Sequence, residues 1–323
     1  MANNLTHSLP AYVEQNHDSL LRDSILGAES AKMFTLQTGC KQSTALNLLQ
    51  TAIQFQDGKG CGFNAAGSQE ISQRTITADL IKVDMEYCAD TLLNTCLQHE
   101  VRIAAGQKKL PFENDFIKDV VDNVALGAET LIWQGDKTKT SDTKLKWTDG
   151  LIKILKADDG ITVPSQILTH DPFVYGESGN GDVIAAVDEV VMALPTEVLN
   201  TAVIFMGYDT YRLWALSWRN ANMFHYDGGK LDNSVNIVPG SSIQVKAVAG
   251  LNGTGEIVAG DPRNFYYGVG DMSNENSKFD FWYSKDNDTF RLKIRFGLGT
   301  QVAFPNKVVI SSVASNSSSS SSD

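Results

Sequence analysis

One segment constrains the fold more than any other. From Phe112 to Ile132 the apolar residues Phe112, Phe116, Ile117, Val120, Val121, Val124, Ala125, Ala128, Leu131 and Ile132 recur at three- and four-residue intervals. That is the period of a helix with one buried face. Pro111 is a start signal, Glu113 and Asp115 place negative charge where the helix dipole favours it, and Gly135 follows the end. At about 1.5 Å per residue the helix predicted over about 111 to 134 is a rod of roughly 33 Å, long enough to serve as the axis on which other elements are laid.

Around this axis the chain reads as α+β. Residues 1 to about 35 are polar with isolated apolar positions and are expected to form an arm that gains order from neighbours. Ala45, Leu46, Leu48, Leu49, Ala52 and Ile53 fit a short helix, so 1–55 is read as arm plus helix. The run Gly58-Lys59-Gly60-Cys61-Gly62 has too many glycines for a regular element, and Ile81, Val83, Met85 and Tyr87 alternate with Lys82, Asp84 and Glu86 as in a half-buried strand. Residues 56–87 are therefore expected to be a long glycine-rich loop with strand-forming arms, standing away from the core. A helix over about 89 to 105 precedes the long one. A polar stretch from Asp136 to Asp149 follows it, then a helix over 182–194 ended by Pro195, a strand over 202–206 and a helix over 210–219. From Val235 strands dominate, ending with Phe290, Leu292, Ile294 and Phe296 alternating against Arg291, Lys293 and Arg295. The serine-rich end, 311–323, cannot bury apolar surface and is expected to be disordered.

Composition limits the function classes. In 323 residues, 42% apolar and 20% charged side chains suffice for a sizeable core, and a net charge of −11 argues against binding nucleic acid through a broad basic surface. No apolar run approaches the ~18 residues of a membrane-spanning helix, and Met1 to His7 lack the pattern of a secretory signal. Cys40, Cys61, Cys88 and Cys96 form no Cys-x-x-Cys pair, so free thiols in a reducing compartment are expected.

Catalytic constellations are not found. His7, His17, His99, His170 and His225 are scattered, there is no Gly-x-Ser-x-Gly elbow, and Gly58 to Gly62 lacks the spacing of a phosphate loop. Asp286-Asn287-Asp288 lacks the glycine and distal glutamate of a calcium loop and reads as a hairpin turn, while Asp261-Pro262-Arg263-Asn264 reads as a turn between strands. No catalytic residue, cofactor or metal is expected. An α+β hydrolase using Asp261 and His225 lacks a nucleophile with its orienting partner. A glycan-binding module built on Trp214, Trp218, Trp282 and Tyr283 competes with the ordinary reading of these aromatics as core or interface residues. An arm and a protruding loop that cannot satisfy themselves point instead to a protein that makes surfaces, because such segments gain burial only from a neighbour.

Three strings then carry a resemblance. Gly127-Ala128-Glu129-Thr130-Leu131-Ile132-Trp133-Gln134-Gly135-Asp136 closes the long helix and is followed, after a polar spacer, by Asp149-Gly150-Leu151. Val258 to Gly268 contains Gly260-Asp261-Pro262-Arg263-Asn264-Phe265-Tyr266-Tyr267, and Asp280-Phe281-Trp282-Tyr283 precedes Phe290 to Phe296 and Val302-Ala303-Phe304-Pro305. In this order, over about 40 to 310, the chain resembles the major capsid proteins of tailed double-stranded DNA bacteriophages, the Hong Kong ninety-seven type of fold. It looks most like those of Bacteroidetes-infecting phages.

The resemblance implies a subunit that self-assembles into pentamers and hexamers of an icosahedral shell around double-stranded DNA, with no sequence-specific binding and no membrane. It implies an extended loop over 56–87 and a peripheral domain of 88–149 and 276–310 that contains the spine helix. The axial domain would be 150–275. Lys59, Glu70, Arg74, Arg263, Arg291, Lys293 and Arg295 become candidates for contacts between subunits. The portal is an implied partner, and decoration proteins are a further one that the resemblance allows; the stretch before the core is too short for a fused scaffold, so scaffolding is expected from a separate protein or not at all. The implied location is the virion, and the host cytoplasm during assembly. Encapsulin shells share the class, and the strings around Asp280 and Arg291 favour the phage side. Gly127 is either a bending point or a packing glycine.

Overall fold

The computed structural model describes residues 2–40, 43–57, 65–104, 112–157, 167–175, 181–221, 237–270 and 278–314. Lys59, Cys61, Pro111 and His225 lie outside them. The predicted rod is present as α3, Phe112–Gln134, whose 23 residues span about 35 Å. Its buried residues Ile117, Val120, Val121, Ala128, Ile132 and Trp133 lie in the main core with the inward faces of a sheet.

That sheet is organised by β11, Thr289–Val302, which pairs antiparallel with β4 (Asp79–Cys88), β10 (Lys278–Ser284) and β9 (Phe265–Val269), while β1 (Thr35–Gln37) runs parallel to β9. The expected alternation holds along β11: Phe290, Leu292, Ile294 and Phe296 are at most 2% exposed and the cations between them face outward.

A second sheet has the order β5-β12-β8-β6-β7: Ile167–His170, Val309–Val313, Ile257–Gly260, Val203–Met206 and Gln244–Ala247. Both of its faces are covered. Phe205, Val258 and Ile310 point into the main core, whereas Ile204, Met206, Ile257, Ala259 and Val309 point into a second core beneath α5 (Val183–Ala193) and α6 (Tyr208–Ala221). Burial on both sides is why β6 and β8 are continuous apolar runs rather than alternating ones. Asp182 caps α5 by accepting the Ile184 N–H at 2.9 Å.

Five expectations change. The N-terminal arm is α1, Ala2–Leu26, lying over the chain's own core through Leu9, Val13, Leu21 and Ile25. These positions recur at four-residue steps with His17 in the middle of the series; the His17 ring nitrogen Nε2 accepts the Phe279 N–H at 3.1 Å from β10. The short helix over 43–55 is instead strand β2, Thr44–Ile53, paired with β3, Gly67–Ile76, because its apolar run fits either period and pairing with β3 decides. The protruding element is thus the hairpin 44–76. The strand over 81–87 belongs to the main sheet, where Ile81 is buried. The domain boundaries shift as well: β9 joins the first sheet, and β12 joins the second. Finally, Ser311 and Ser312 are buried in β12, so the expected tail begins later, and 315–323 lie outside the described residues.

Cys40, Cys88 and Cys96 form no disulfide. Among the described residues no helix is long and apolar enough to cross a membrane.

Candidate functional site

Three features stand out from a folded core: a buried carboxylate junction, a charged sheet face and the exposed hairpin. The junction forms where the turn after α1 meets the spine helix. Glu129, 1% exposed, accepts the Ser30 N–H at 2.9 Å and the Ser30 hydroxyl at 2.5 Å, and the Trp133 indole N–H reaches both the Ser30 hydroxyl oxygen (2.7 Å) and Glu129 (3.1 Å). Every donor aimed at this carboxyl is therefore used, as burial demands. Burial pushes the Glu129 carboxyl above the usual range against the pull of those hydrogen bonds, and the Glu29 charge adds to the rise.

Glu29 ties the same junction to the start of α6 and to the turn after β7. It accepts the Tyr208 hydroxyl at 2.8 Å and the Ala249 N–H at 3.3 Å. The Tyr208 phenol is pushed up to about 12, first by burial and then by its bond to Glu29. The Tyr267 hydroxyl donates to the Ile25 carbonyl at 3.0 Å. Gly250 lies so close to Trp133 and the Glu129 carbonyl that a Cβ there would collide with both.

The strongest string from the sequence closes this region. Gly150 donates its N–H to the Gly135 carbonyl at 2.8 Å, and a Cβ on Gly150 would stand 2.6 Å from the Gly135 nitrogen. Gly127, by contrast, has nothing within 4 Å of where a Cβ would stand, so it is not a packing glycine.

On the outer face of the main sheet the three predicted cations meet neighbours of both signs. Arg291 pairs with Glu86 at 3.1 Å, and the Thr289 hydroxyl and Arg291 hold the Glu86 carboxyl below its ordinary range. Lys293 stands in register between Asp84 and Asp280. Arg295 stands between Lys82 and Lys278, and Lys82 reaches Asp84 at 2.5 Å. Arg263 is largely exposed, with Asp261 3.5 Å away. Arg74 donates to the Gln301 side chain at 3.3 Å at the hairpin root, and Glu70 is exposed on β3. Lys59 is outside the described residues. The structure thus gathers Arg291, Lys293 and Arg295 on one face and leaves Glu70, Arg74 and Arg263 apart from them.

The hairpin changes character along its length. At its root Leu46, Ile76 and Cys40 form a small core of their own. Beyond it, among the described residues, no third strand joins the ribbon, and Leu49, Ile53, Phe55 and Ile71 are 57%, 77%, 96% and 75% exposed. An isolated two-stranded ribbon is marginal in water. These four residues were not singled out from sequence as functional. The available signal was apolar side chains at alternate positions with uncharged neighbours.

This arrangement of hairpin, long helix, first sheet and helix-covered second sheet is the fold of subunits in solved phage and GTA capsids. The chain is similar to a subunit of the satellite phage P4 procapsid including the size-determination protein Sid, with TM-score 0.59 at 10% identity over 92% of this chain and 90% of that chain. It is similar to the capsid subunit of an empty GTA particle, with TM-score 0.55 at 12% identity over 91% and 90%. Against Microbacterium phage Oxtober96 the TM-score is 0.56 at 12% identity over 89% and 91%. No protein family and no curated protein matches the sequence.

Proposed function

We propose that this chain is a structural subunit that self-assembles, as pentamers and hexamers, into an icosahedral phage capsid enclosing double-stranded DNA. The observation that carries the proposal is the extent of the fold likeness: 92% of this chain aligns with 90% of a procapsid subunit, leaving little of either unaccounted for. The exposed hairpin supports it, because its apolar side chains gain burial only from another molecule.

In this reading α3 is the spine, the hairpin 44–76 lies over an adjacent subunit, and the layer of second sheet, α5 and α6 meets its copies at the capsomer centre. Arg291, Lys293 and Arg295 with their acidic neighbours, together with Glu70, Arg74, Arg263 and Lys59, supply polar contacts between subunits. Closed symmetry multiplies many modest contacts into a stable shell. DNA is held by enclosure, since a chain of net charge −11 does not grip each phosphate. A portal, and separate scaffolding and decoration proteins, are the expected partners; the virion is the expected location, after assembly in the host cytoplasm. The affinity to phages of Bacteroidetes rests on the three sequence strings around Gly135, Asp261 and Arg291.

The test is size-exclusion chromatography with negative-stain microscopy of the purified chain across a range of salt concentrations. Capsomers, shells or curved sheets are expected. A species that stays monomeric under all conditions contradicts the proposal.

A further inference from the structure

Helix α1 lies along a sheet edge as well as over the core. Strand β10 pairs with β11 on one side, and on its other side the backbone N–H of Phe279 points away from β11 to the His17 ring nitrogen Nε2. Because N–H directions alternate along a strand, Phe281 and Tyr283 present theirs on the same edge. An uncovered edge of this kind is a template for another strand, and a helix laid over it blocks such pairing.

The hydrogen bonds fix the state of the imidazole. A backbone N–H only donates, so Nε2 carries no proton; Nδ1 then holds the single ring proton and donates it to the Asp18 carboxylate at 3.0 Å. The contact therefore requires neutral histidine. Protonation puts a second N–H where the lone pair was, facing the Phe279 N–H, and two donors cannot share a bond. The ring is 31% exposed, so a proton reaches it from water while the helix is still in place.

The charges around His17 are of both signs. On its own helix Asp18 accepts from Nδ1 in either protonation state and is fully exposed, which screens its attraction, and Glu14 is exposed three residues earlier. On β10, Lys278 and Asp280 flank Phe279 and sit on the outer face of the sheet. On α3, Glu113 is engaged by the Ser8 hydroxyl at 2.8 Å, and Lys118 lines the groove between α1 and α3. Among the described residues, Asp18 is the one charge within ion-pair distance of the ring.

We propose that α1 is a pH-gated cover on the β10 edge: neutral His17 holds it closed, and protonation of His17 loosens the helix and bares the edge. The device is a property of the single chain and stands apart from shell assembly. Histidine in water takes up a proton near pH 6.5, and the closed state excludes that proton, so closure is fully present above that value and weakens about tenfold between pH 7.5 and pH 5.5.

The experiment is amide hydrogen exchange of the dispersed full chain at these two pH values, read as protection factors so that the intrinsic pH dependence of exchange cancels. In the wild type the amides from Leu20 to Ile25 should lose about tenfold in protection at the lower pH. His17→Gln, whose Oε1 accepts the Phe279 N–H and does not titrate, should lose none of that protection. The acids of the chain titrate alike in both proteins and cancel in the comparison. His17→Ala should be poorly protected in α1 at both values. Equal pH dependence in the wild type and His17→Gln overturns the proposal. So does wild-type protection of α1 in His17→Ala at the higher pH, since the hydrogen bond then does not hold the helix.

Discussion

The junction around Glu129 and the outer hairpin break the inside-outside rule in opposite directions. At the junction a carboxylate, a serine hydroxyl and an indole N–H are buried within the main core, yet each finds a partner inside the same subunit. On the hairpin, leucine and isoleucine side chains stand in water and find none there. The first violation is closed by the chain itself and fixes how the N-terminal helix meets the spine. The second stays open within the chain, and in the proposed shell another copy closes it. A folded subunit can thus be complete in its core and incomplete at one surface.

The largest effect that separates the two regions is on assembly. Leu49→Asp with Ile71→Asp should abolish shell formation in negative-stain images while the melting temperature of the isolated subunit stays near wild type, since both side chains are already solvated. A large drop in melting temperature instead places the hairpin in the subunit core. Next in size is Glu129→Ala, which strands the Ser30 N–H and the Ser30 hydroxyl proton, while the Trp133 N–H keeps the Ser30 hydroxyl oxygen. Each buried donor left unpaired costs about 1–3 kcal/mol, to be read from urea denaturation of the dispersed subunit. A loss below about 1 kcal/mol shows that the junction is not closed as described.

A smaller effect is the pH dependence. Burial holds the Glu129 carboxyl above its ordinary value, so the folded state binds this proton more tightly than the unfolded chain. The associated stability is fully present below the ordinary glutamate range and declines as pH rises through the raised folded value. Glu129→Gln removes that decline, so its urea midpoint should vary less than wild type between about pH 4 and 8. Equal slopes contradict it. The smallest expected effect is Gly127→Ala: with open space at the Cβ position and helical backbone, it should stabilise the dispersed subunit by about 0.5–1 kcal/mol. Destabilisation shows that the site is not open.

The same contrast explains what was legible in the sequence. The spine helix and the β11 alternation were readable because one face is core and the other solvent, so period and burial coincide. The strand over 203–206 was readable because both its faces are buried. The N-terminal helix was not: the series Leu9, Val13, Leu21 and Ile25 is interrupted by the polar His17, whose role is to accept a strand N–H. Strand β2 was misread because pairing with β3, more than its own period, decides its conformation. Glu129 was quoted for resemblance alone, since a mid-helix glutamate is ordinarily solvated and only Ser30, 99 positions away, makes it a core residue. Of the seven candidate contact residues none carries the apolar surface. All seven are charged, whereas the signal of the hairpin's exposed face is the absence of charge.

Amide hydrogen exchange on dispersed and assembled protein tests the central contrast most directly. The backbone N–H groups of Ser30 and of α3 around Trp133 should be protected in both states, while those of 49–53 and 67–71 should exchange quickly in the dispersed subunit and slowly once assembled. Hairpin amides with the same protection in both states would contradict the account.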